Sequence, residues 1–234
     1  MPSNRISILS TRPLPASLLD EARSHSIHVD VLSFIETEAI RTVEVQQEIE
    51  QVFAQSSTVV FTSMNAVEAV AEELHGEQPD WRIYSIGNTT RQLVQKYFGD
   101  EALAGSANSA TELAELMVEE EVGDEVIFFC GDQRRDELPG ILRDHEIEVQ
   151  EIVVYETIAV PHRVSKPYQG ILFFSPSAVD SFFSVNRLNE QVILFAIGNT
   201  TASALKKYSK NRVIVSSAPG KENLFRTMLD FFDQ

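Results

Sequence analysis

The chain of 234 residues has one cysteine, Cys130, so no intrachain disulfide can form and a reducing compartment suits it. Basic side chains are scarce. Lys and Arg number 19 against 35 Asp and Glu, and the resulting net charge of −16 repels polyanions at long range. That argues against a duplex-binding surface, so nucleic acid is not expected as a partner. No apolar run approaches the roughly 18 residues of a membrane-crossing helix, and the polar start MPSNRISILSTRP lacks the apolar segment of a signal peptide. A cytoplasmic protein with no membrane contact is expected. Catalytic signatures are missing too: there is no GxGxxG, GxxxxGK[ST], GxSxG or HExxH. The histidines (His25, His28, His75, His145, His162) have no metal-ligand spacing, and neither a metal nor a cofactor is expected.

What is present is an ordinary globular composition, 43% hydrophobic and 23% charged, with material for a substantial core. The length admits one large domain or two of about 100 to 150 residues. A repeat favours two. Ile86-Gly87-Asn88-Thr89-Thr90 recurs as Ile197-Gly198-Asn199-Thr200-Thr201, with the glycines 111 residues apart. Phe61-Thr62-Ser63-Met64-Asn65-Ala66-Val67 matches Phe173-Phe174-Ser175-Pro176-Ser177-Ala178-Val179 at a spacing of 112. The chain reads as a duplication.

Hydrophobic periodicity predicts a βαβ unit from strands at 6–10 and 28–34 about a helix at 15–24. A helix over 37–55 follows, then strand 58–62 and its helix, strand 81–86 with helix 91–98, a weak strand at 101–104, a loop over 105–109 and a helix from Thr111. The second half repeats the order: strand 126–130, helix 138–145, strand 149–157, then strands at 171–174, 192–197 and 213–215, each followed by a helix. Continuous apolar strands alternating with helices predict an α/β fold. Two similar domains are expected, each a parallel sheet of about five strands covered by helices. Residues 158–169, with Pro161 and Pro167, are the best linker stretch, and 35–37 its counterpart.

In such sheets ligands bind beyond the carboxyl ends of the strands, where helix N-termini offer free N–H groups. Six polar loops fall there: Thr11-Arg12-Pro13, residues 62–65, 87–90, 131–135, 175–177 and 198–201. Each has a bland explanation. Ser, Thr and Asn before a helix are commonly caps, the glycines turn formers, and Arg12, Arg134 and Arg135 solvated charges. Recurrence of Gly-Asn-Thr-Thr while the following helix diverges tilts the balance toward ligand contact, and shared descent accounts for part of it. A small anionic ligand fits the acidic chain if a few Arg side chains and amides converge, because short-range contacts outweigh a screened field.

Taken in order, these residues resemble the uroporphyrinogen-III synthase family. The resemblance is carried by Thr11-Arg12-Pro13, Phe61-Thr62-Ser63 with Ala66-Val67, Gly87 with Thr89-Thr90, and Gly131 with Arg135 and Leu138-Pro139. It continues through Val154-Tyr155-Glu156-Thr157, Phe174-Ser175-Pro176-Ser177, and Ile197-Gly198 with Thr200-Thr201. No single motif is specific; their order and spacing are. The resemblance implies an α/β protein of two flavodoxin-like domains joined by two short linkers, and domains that are not the two repeats: residues 1–35 with 161–234, and 36–160. It implies a cofactor-free hydro-lyase of tetrapyrrole biosynthesis that cyclises hydroxymethylbilane with inversion of ring D and loss of water. Tyr155 is then expected to assist departure of the hydroxyl as a proton donor or hydrogen-bond donor. Arg12, Thr62, Ser63, Asn65, Gly87, Thr89, Thr90, Gly131, Arg135, Ser175, Ser177, Gly198, Thr200 and Thr201 are expected to bind the substrate's carboxylates. Facing lobes make the two Gly-Asn-Thr-Thr copies opposite walls of one cleft in this reading, with the second copy the stronger. Thr201→Ala or Ser63→Ala is then expected to weaken activity modestly. A non-enzymatic two-lobed cytoplasmic binding or regulatory protein for a small anionic metabolite is the alternative. A monomer is expected, because neither half shows a spare apolar helix face.

Overall fold

The computed structural model describes residues 6–218 and 220–233. In chain order the described residues form β1 (Ile6–Ser10), α1 (Ala16–Ser24), β2 (Ile27–Val31), β3 (Ile35–Ala39), α2 (Val43–Phe53), β4 (Ser57–Phe61), α3 (Met64–Glu73), β5 (Trp81–Ile86), α4 (Asn88–Phe98), β6 (Leu103–Ala107) and α5 (Ala110–Glu119). Then come β7 (Glu125–Gly131), α6 (Glu137–Asp144), β8 (Glu148–Ala159), β9 (Gly170–Phe173), α7 (Pro176–Val185), β10 (Ile193–Ala196), α8 (Asn199–Tyr208), β11 (Val213–Val215) and α9 (Lys221–Phe232).

Two compact units result. The described residues through Glu36 and from Ile158 onward form one, and Thr37–Thr157 the other. The first holds a five-stranded sheet in the order β11-β10-β9-β1-β2, parallel throughout. The second holds six strands in the order β3-β8-β7-β4-β5-β6, parallel from β8 to β6. Each sheet combines the βαβ of one repeat with the three-strand run of the other. Counted from its βαβ, each has the flavodoxin-like order 2-1-3-4-5.

The apolar strands are buried on both faces. Leu9, Ile171, Phe173 and Leu194 pack against α7 and α8 residues such as Val179, Phe182 and Leu205. Their neighbours Ile8, Leu172 and Phe195 pack the other way, against Leu18, Leu224, Phe225 and Met228 of α1 and α9. The second unit repeats the scheme: Val59, Phe61, Ile83 and Phe129 face Val67, Val70 and Val94. Val60, Tyr84, Val126 and Phe128 face Leu113, Met117 and Leu142. Burying each such large side chain stabilises by about 1.5–3 kcal/mol, which is why these runs show no polar alternation.

Four elements differ from the sequence reading. Residues 35–39 form a strand, where a linker and the start of a helix are predicted; the helix begins only at Val43, capped by Thr42, whose side chain accepts from the Val45 N–H. The second strand runs Ile27–Val31 and stops short of Phe34. β6 lies at Leu103–Ala107, so Gly105 is in a strand and not in a loop. β8 is longer than predicted, twelve residues against nine, and ends at Ala159. β3 exists through pairing: Ile40 N–H donates to Val154 O and Val160 N–H to Phe34 O, both at 2.9 Å. The numbers rise on one strand as they fall on the other, so this edge pair is antiparallel.

Candidate functional site

A 2-1-3-4-5 sheet opens a crevice at the carboxyl ends of strands 1 and 3, where connections leave toward opposite faces. In the first unit those strands are β1 and β9, and in the second β7 and β4. The ends of these four strands, their exit loops and the helix starts that follow carry most of the predicted site residues: Arg12 after β1, Ser175 and Ser177 after β9, Thr62, Ser63 and Asn65 after β4, and Gly131 at the end of β7 with Arg135 beyond it. The Gly-Asn-Thr-Thr copies follow the next strands outward, β5 and β10.

Side-chain roles divide within this set. Thr11 is buried and ties β1 to β9, donating both its N–H, at 3.1 Å, and its hydroxyl, at 2.8 Å, to Leu172 O. Ser63 and Ser175 are helix caps, accepting at 3.2 Å from the N–H groups of Asn65 and Ala178. The repeated string is different. Asn88 and Asn199 are the first helical residues, and the cap position is Gly87 or Gly198, with no side chain to offer. Among the described residues the opening N–H groups of α4 and α8 therefore have no capping side chain and are suited to an anion, an arrangement that Ser-capped α3 and α7 do not share.

The two threonines of that string differ in exposure. Thr90 and Thr201 are buried, at 5% and 3% exposure. The exposed hydroxyls are those of Thr89 and Thr200.

The arginines separate in the same way. Arg134 pairs with Glu151 and Asp136, and Arg143 joins the same two carboxylates at 2.5 and 3.3 Å. Lys166 is held 2.5 Å from Asp30. Arg91 bonds the Asn88 side chain of its own helix at 3.1 Å. Among the described residues Arg12, Arg135 and Arg163 have no ion pair, and all three are exposed. Sequence reasoning missed Lys221, whose Nζ donates to Pro13 O at 3.3 Å; burial and the Arg12 charge lower its pKa. No local pattern links positions so far apart in the chain.

Tyr155 owes its position to a β-bulge. The β7–β8 register runs Cys130 with Val153 and then Gly131 with Tyr155, leaving Val154 unopposed. Strict alternation would send Tyr155 to the face of Val153, which packs with Val126 and Phe128. Instead Tyr155 joins Ile152 and Val154 in the opposite cluster, as a bulge that re-aims a side chain does. Its half-buried ring lies across Gly131: a methyl group on Gly131 would be 2.3 Å from Cζ and 2.7 Å from the hydroxyl oxygen. Tyr155 also lines a cavity of about 740 Å³ with Asn65, Arg41, Glu38, Glu68 and Tyr97. Arg41 is paired with Glu72 at 2.8 Å, so this cavity presents net negative charge. Carboxylate-bearing ligands suit the loop donors better than this cavity.

Cys130 is no competing nucleophile: burial, then the Glu151 charge, pushes its pKa up to about 11. No group of His, Cys, Asp or Glu that could hold a metal ion occurs among the described residues. No helix among them is long and apolar enough to cross a membrane.

A family model described as uroporphyrinogen-III synthase HemD matches residues 16–226. Among solved structures, the chain is similar to uroporphyrinogen-III synthetase from Helicobacter pylori 26695, with a TM-score of 0.69 and 20% identity over 97% of this chain and 99% of that one. A mutant uroporphyrinogen III synthase from the extremely thermophilic bacterium Thermus thermophilus gives a TM-score of 0.61 and 13% identity over 97% and 98%. At these identities the structural likeness speaks to the fold.

Proposed function

The chain belongs to the uroporphyrinogen-III synthase family, enzymes that close hydroxymethylbilane into uroporphyrinogen III with inversion of ring D and loss of water, and from that membership we propose how its own residues carry the reaction. Tyr155 is the proton donor to the departing hydroxyl. As the pyrrole nitrogen pushes electrons toward the hydroxymethyl carbon, the C–O bond breaks and the phenolic proton leaves with the oxygen as water. The pyrrole N–H proton restores the phenol, leaving an azafulvene. Its electrophilic carbon is attacked at the substituted position of ring D, giving a spiro intermediate that fragments and recloses inverted.

The observation that carries this reading is the bulge that turns Tyr155 over Gly131, level with the end of β7. The substrate's carboxylates are taken by donors at the strand ends of each unit. In the first these are Arg12 with Lys221, the open N–H groups after Gly198, and Thr200; Ser175 and Ser177 border them. In the second they are Arg135, the N–H groups after Gly87, and Thr89; Thr62, Ser63 and Asn65 border them. Many modest contacts that fix the bilane's shape suit a reaction whose competitor is spontaneous closure without inversion, since orientation then decides the product. A non-enzymatic metabolite-binding protein, which the same fold would also serve, is not favoured by the family match.

We further propose that the chain acts as a monomer in the cytoplasm. The exposed large apolar side chains of the described residues, Val31, Val43, Met64, Tyr208 and Val215, are scattered over separate elements, and the lone cysteine is buried. Sedimentation at assay concentration tests the first part.

The decisive experiment supplies freshly generated hydroxymethylbilane to Tyr155→Phe and measures the type III product against the spontaneous type I isomer. Turnover is expected to fall by about 100-fold or more. Wild-type turnover overturns the proton-donor role, and absence of type III product from the unmodified protein overturns the enzymatic reading altogether.

A further inference from the structure

β7 ends at Gly131, but β8 continues to Ala159, so the strand that bears Tyr155 outruns its partner. The loop turns away at once: Arg134 N–H folds back to Gly131 O at 3.2 Å. Past that point two hydrogen bonds from one residue carry the ladder on. Asp132 donates its N–H to Tyr155 O at 3.1 Å, and its Oδ1 accepts the Thr157 N–H at 2.9 Å. The carboxylate stands where the next carbonyl of a longer β7 would be, with the added strength of a charged acceptor.

Asp132 is an exposed loop residue two and three positions from Arg134 and Arg135, yet among the described residues it forms no ion pair. Its carboxylate is spent on the backbone of β8. A bulge is open to slipping by one residue, which would exchange the faces of the side chains beyond it. The Asp132 bonds fall on Tyr155 and Thr157, just past the unopposed Val154, where such a slip would begin.

We infer that Asp132 is a positioning residue for Tyr155, clamping the end of β8 in the register that lays the phenol across Gly131; the inference rests on the proton-donor role proposed above. It acts through Tyr155 and touches no substrate. Its loss acts on the chemical step and leaves binding alone.

The test compares Asp132→Ala, Asp132→Asn, Tyr155→Phe and the double variant Asp132→Ala/Tyr155→Phe, reading kcat and KM for type III product. Asp132→Ala lowers kcat by up to about 100-fold, as small displacements of catalytic groups do, with KM unchanged. Asp132→Asn, which keeps an acceptor oxygen for the Thr157 N–H, recovers most of the loss. In the Tyr155→Phe background the alanine change adds little, because two residues serving one step are not additive. Wild-type kcat in Asp132→Ala beside an impaired Tyr155→Phe overturns the inference alone. So does a fully additive double variant, or a rise in KM in place of the fall in kcat. Wild-type turnover in Tyr155→Phe overturns the proton-donor role and the inference with it.

Discussion

Replacing Gly131 by alanine displaces Tyr155 without altering a single atom of the tyrosine. The new methyl carbon would lie 2.3 Å from Cζ, 2.5 Å from Cε2 and 2.7 Å from the hydroxyl oxygen. Carbon pairs settle near 3.5–4.0 Å, so the ring must retreat by more than about 1 Å. Gly131 does not use left-handed backbone, so crowding by the ring is the whole effect. The far end of a half-buried ring can swing outward. The loss of stability therefore belongs at the low end of the overpacking range, about 1 kcal/mol, or roughly 2–4 °C in Tm. The phenol, however, leaves its working position, and kcat for type III product falls by up to about 100-fold, close to the Tyr155→Phe level. Thermal melts and isomer-resolved product analysis measure the two effects separately. Combining Gly131→Ala with Tyr155→Ala removes the clash, so the stability cost of the glycine change disappears in that background. A Gly131→Ala enzyme with lowered Tm but wild-type kcat, beside an impaired Tyr155→Phe, would refute the claim that the phenol's place over Gly131 matters.

Three further outcomes are expected. Gly87 has φ +80° and ψ 156°, a region that Gly87→Ala would occupy at a cost of about 1–3 kcal/mol. Gly198 is extended at φ −174° and ψ 176°, so Gly198→Ala stays within about 1 kcal/mol of wild type; denaturant melts that rank the pair the other way refute the difference. Arg135→Ala raises KM with Tm unchanged, whereas Arg134→Ala, which breaks the Glu151 and Asp136 pairs, lowers stability by about 1 kcal/mol; a stability loss in the first and none in the second would reverse the assignment. At Asp30 burial raises the carboxyl pKa, but hydrogen bonds from Lys166, Tyr168 and His28 outweigh it and hold the pKa below its usual value. A depressed acid stabilises the fold above its unfolded pKa and loses that contribution as pH falls through the folded one. The Tm gap between wild type and Asp30→Asn should accordingly be constant above about pH 4 and close below it; a gap that widens on acidification contradicts this.

The fold class and family were legible because the buried strands are long apolar runs and the duplicated loops keep their spacing. The family read from those scattered motifs is the one whose model matches. β3 was not legible. Ile-Glu-Thr-Glu-Ala has no strong strand preference, and only its pairing with β8, more than a hundred residues away, makes it extended. The two Gly-Asn-Thr-Thr strings were recognisable as strand-to-helix turns, but five identical residues cannot disclose that one glycine is left-handed and the other extended. Nor could they disclose that the second threonine turns inward in both copies while the first stays exposed. Tyr155 was readable as a candidate from its motif. Its face was not, because an unopposed residue at Val154 is a property of two strands in register and not of either alone. Asp132 gave no signal beyond an acid after a glycine, since its acceptor role is directed at a backbone N–H that any residue supplies.

The way the two repeats exchange strands sets a timetable for synthesis. β1 is central to its sheet, paired on one side with β2 and on the other with β9, and Thr11 waits for a carbonyl 161 residues further along the chain. At usual elongation rates that is a delay on the order of ten seconds. Meanwhile residues 37–157 emerge with all the strands from β4 to β7 and most of β8, and can close their own sheet first. Through that interval the β1–β2 pair exposes an unpaired strand edge and an uncovered apolar face, the features that invite pairing with a stranger. The newborn chain is thus most vulnerable before Gly170 arrives, and a ribosome stalled once residues 37–157 have emerged but β9 has not would hold one finished unit and one unfinished.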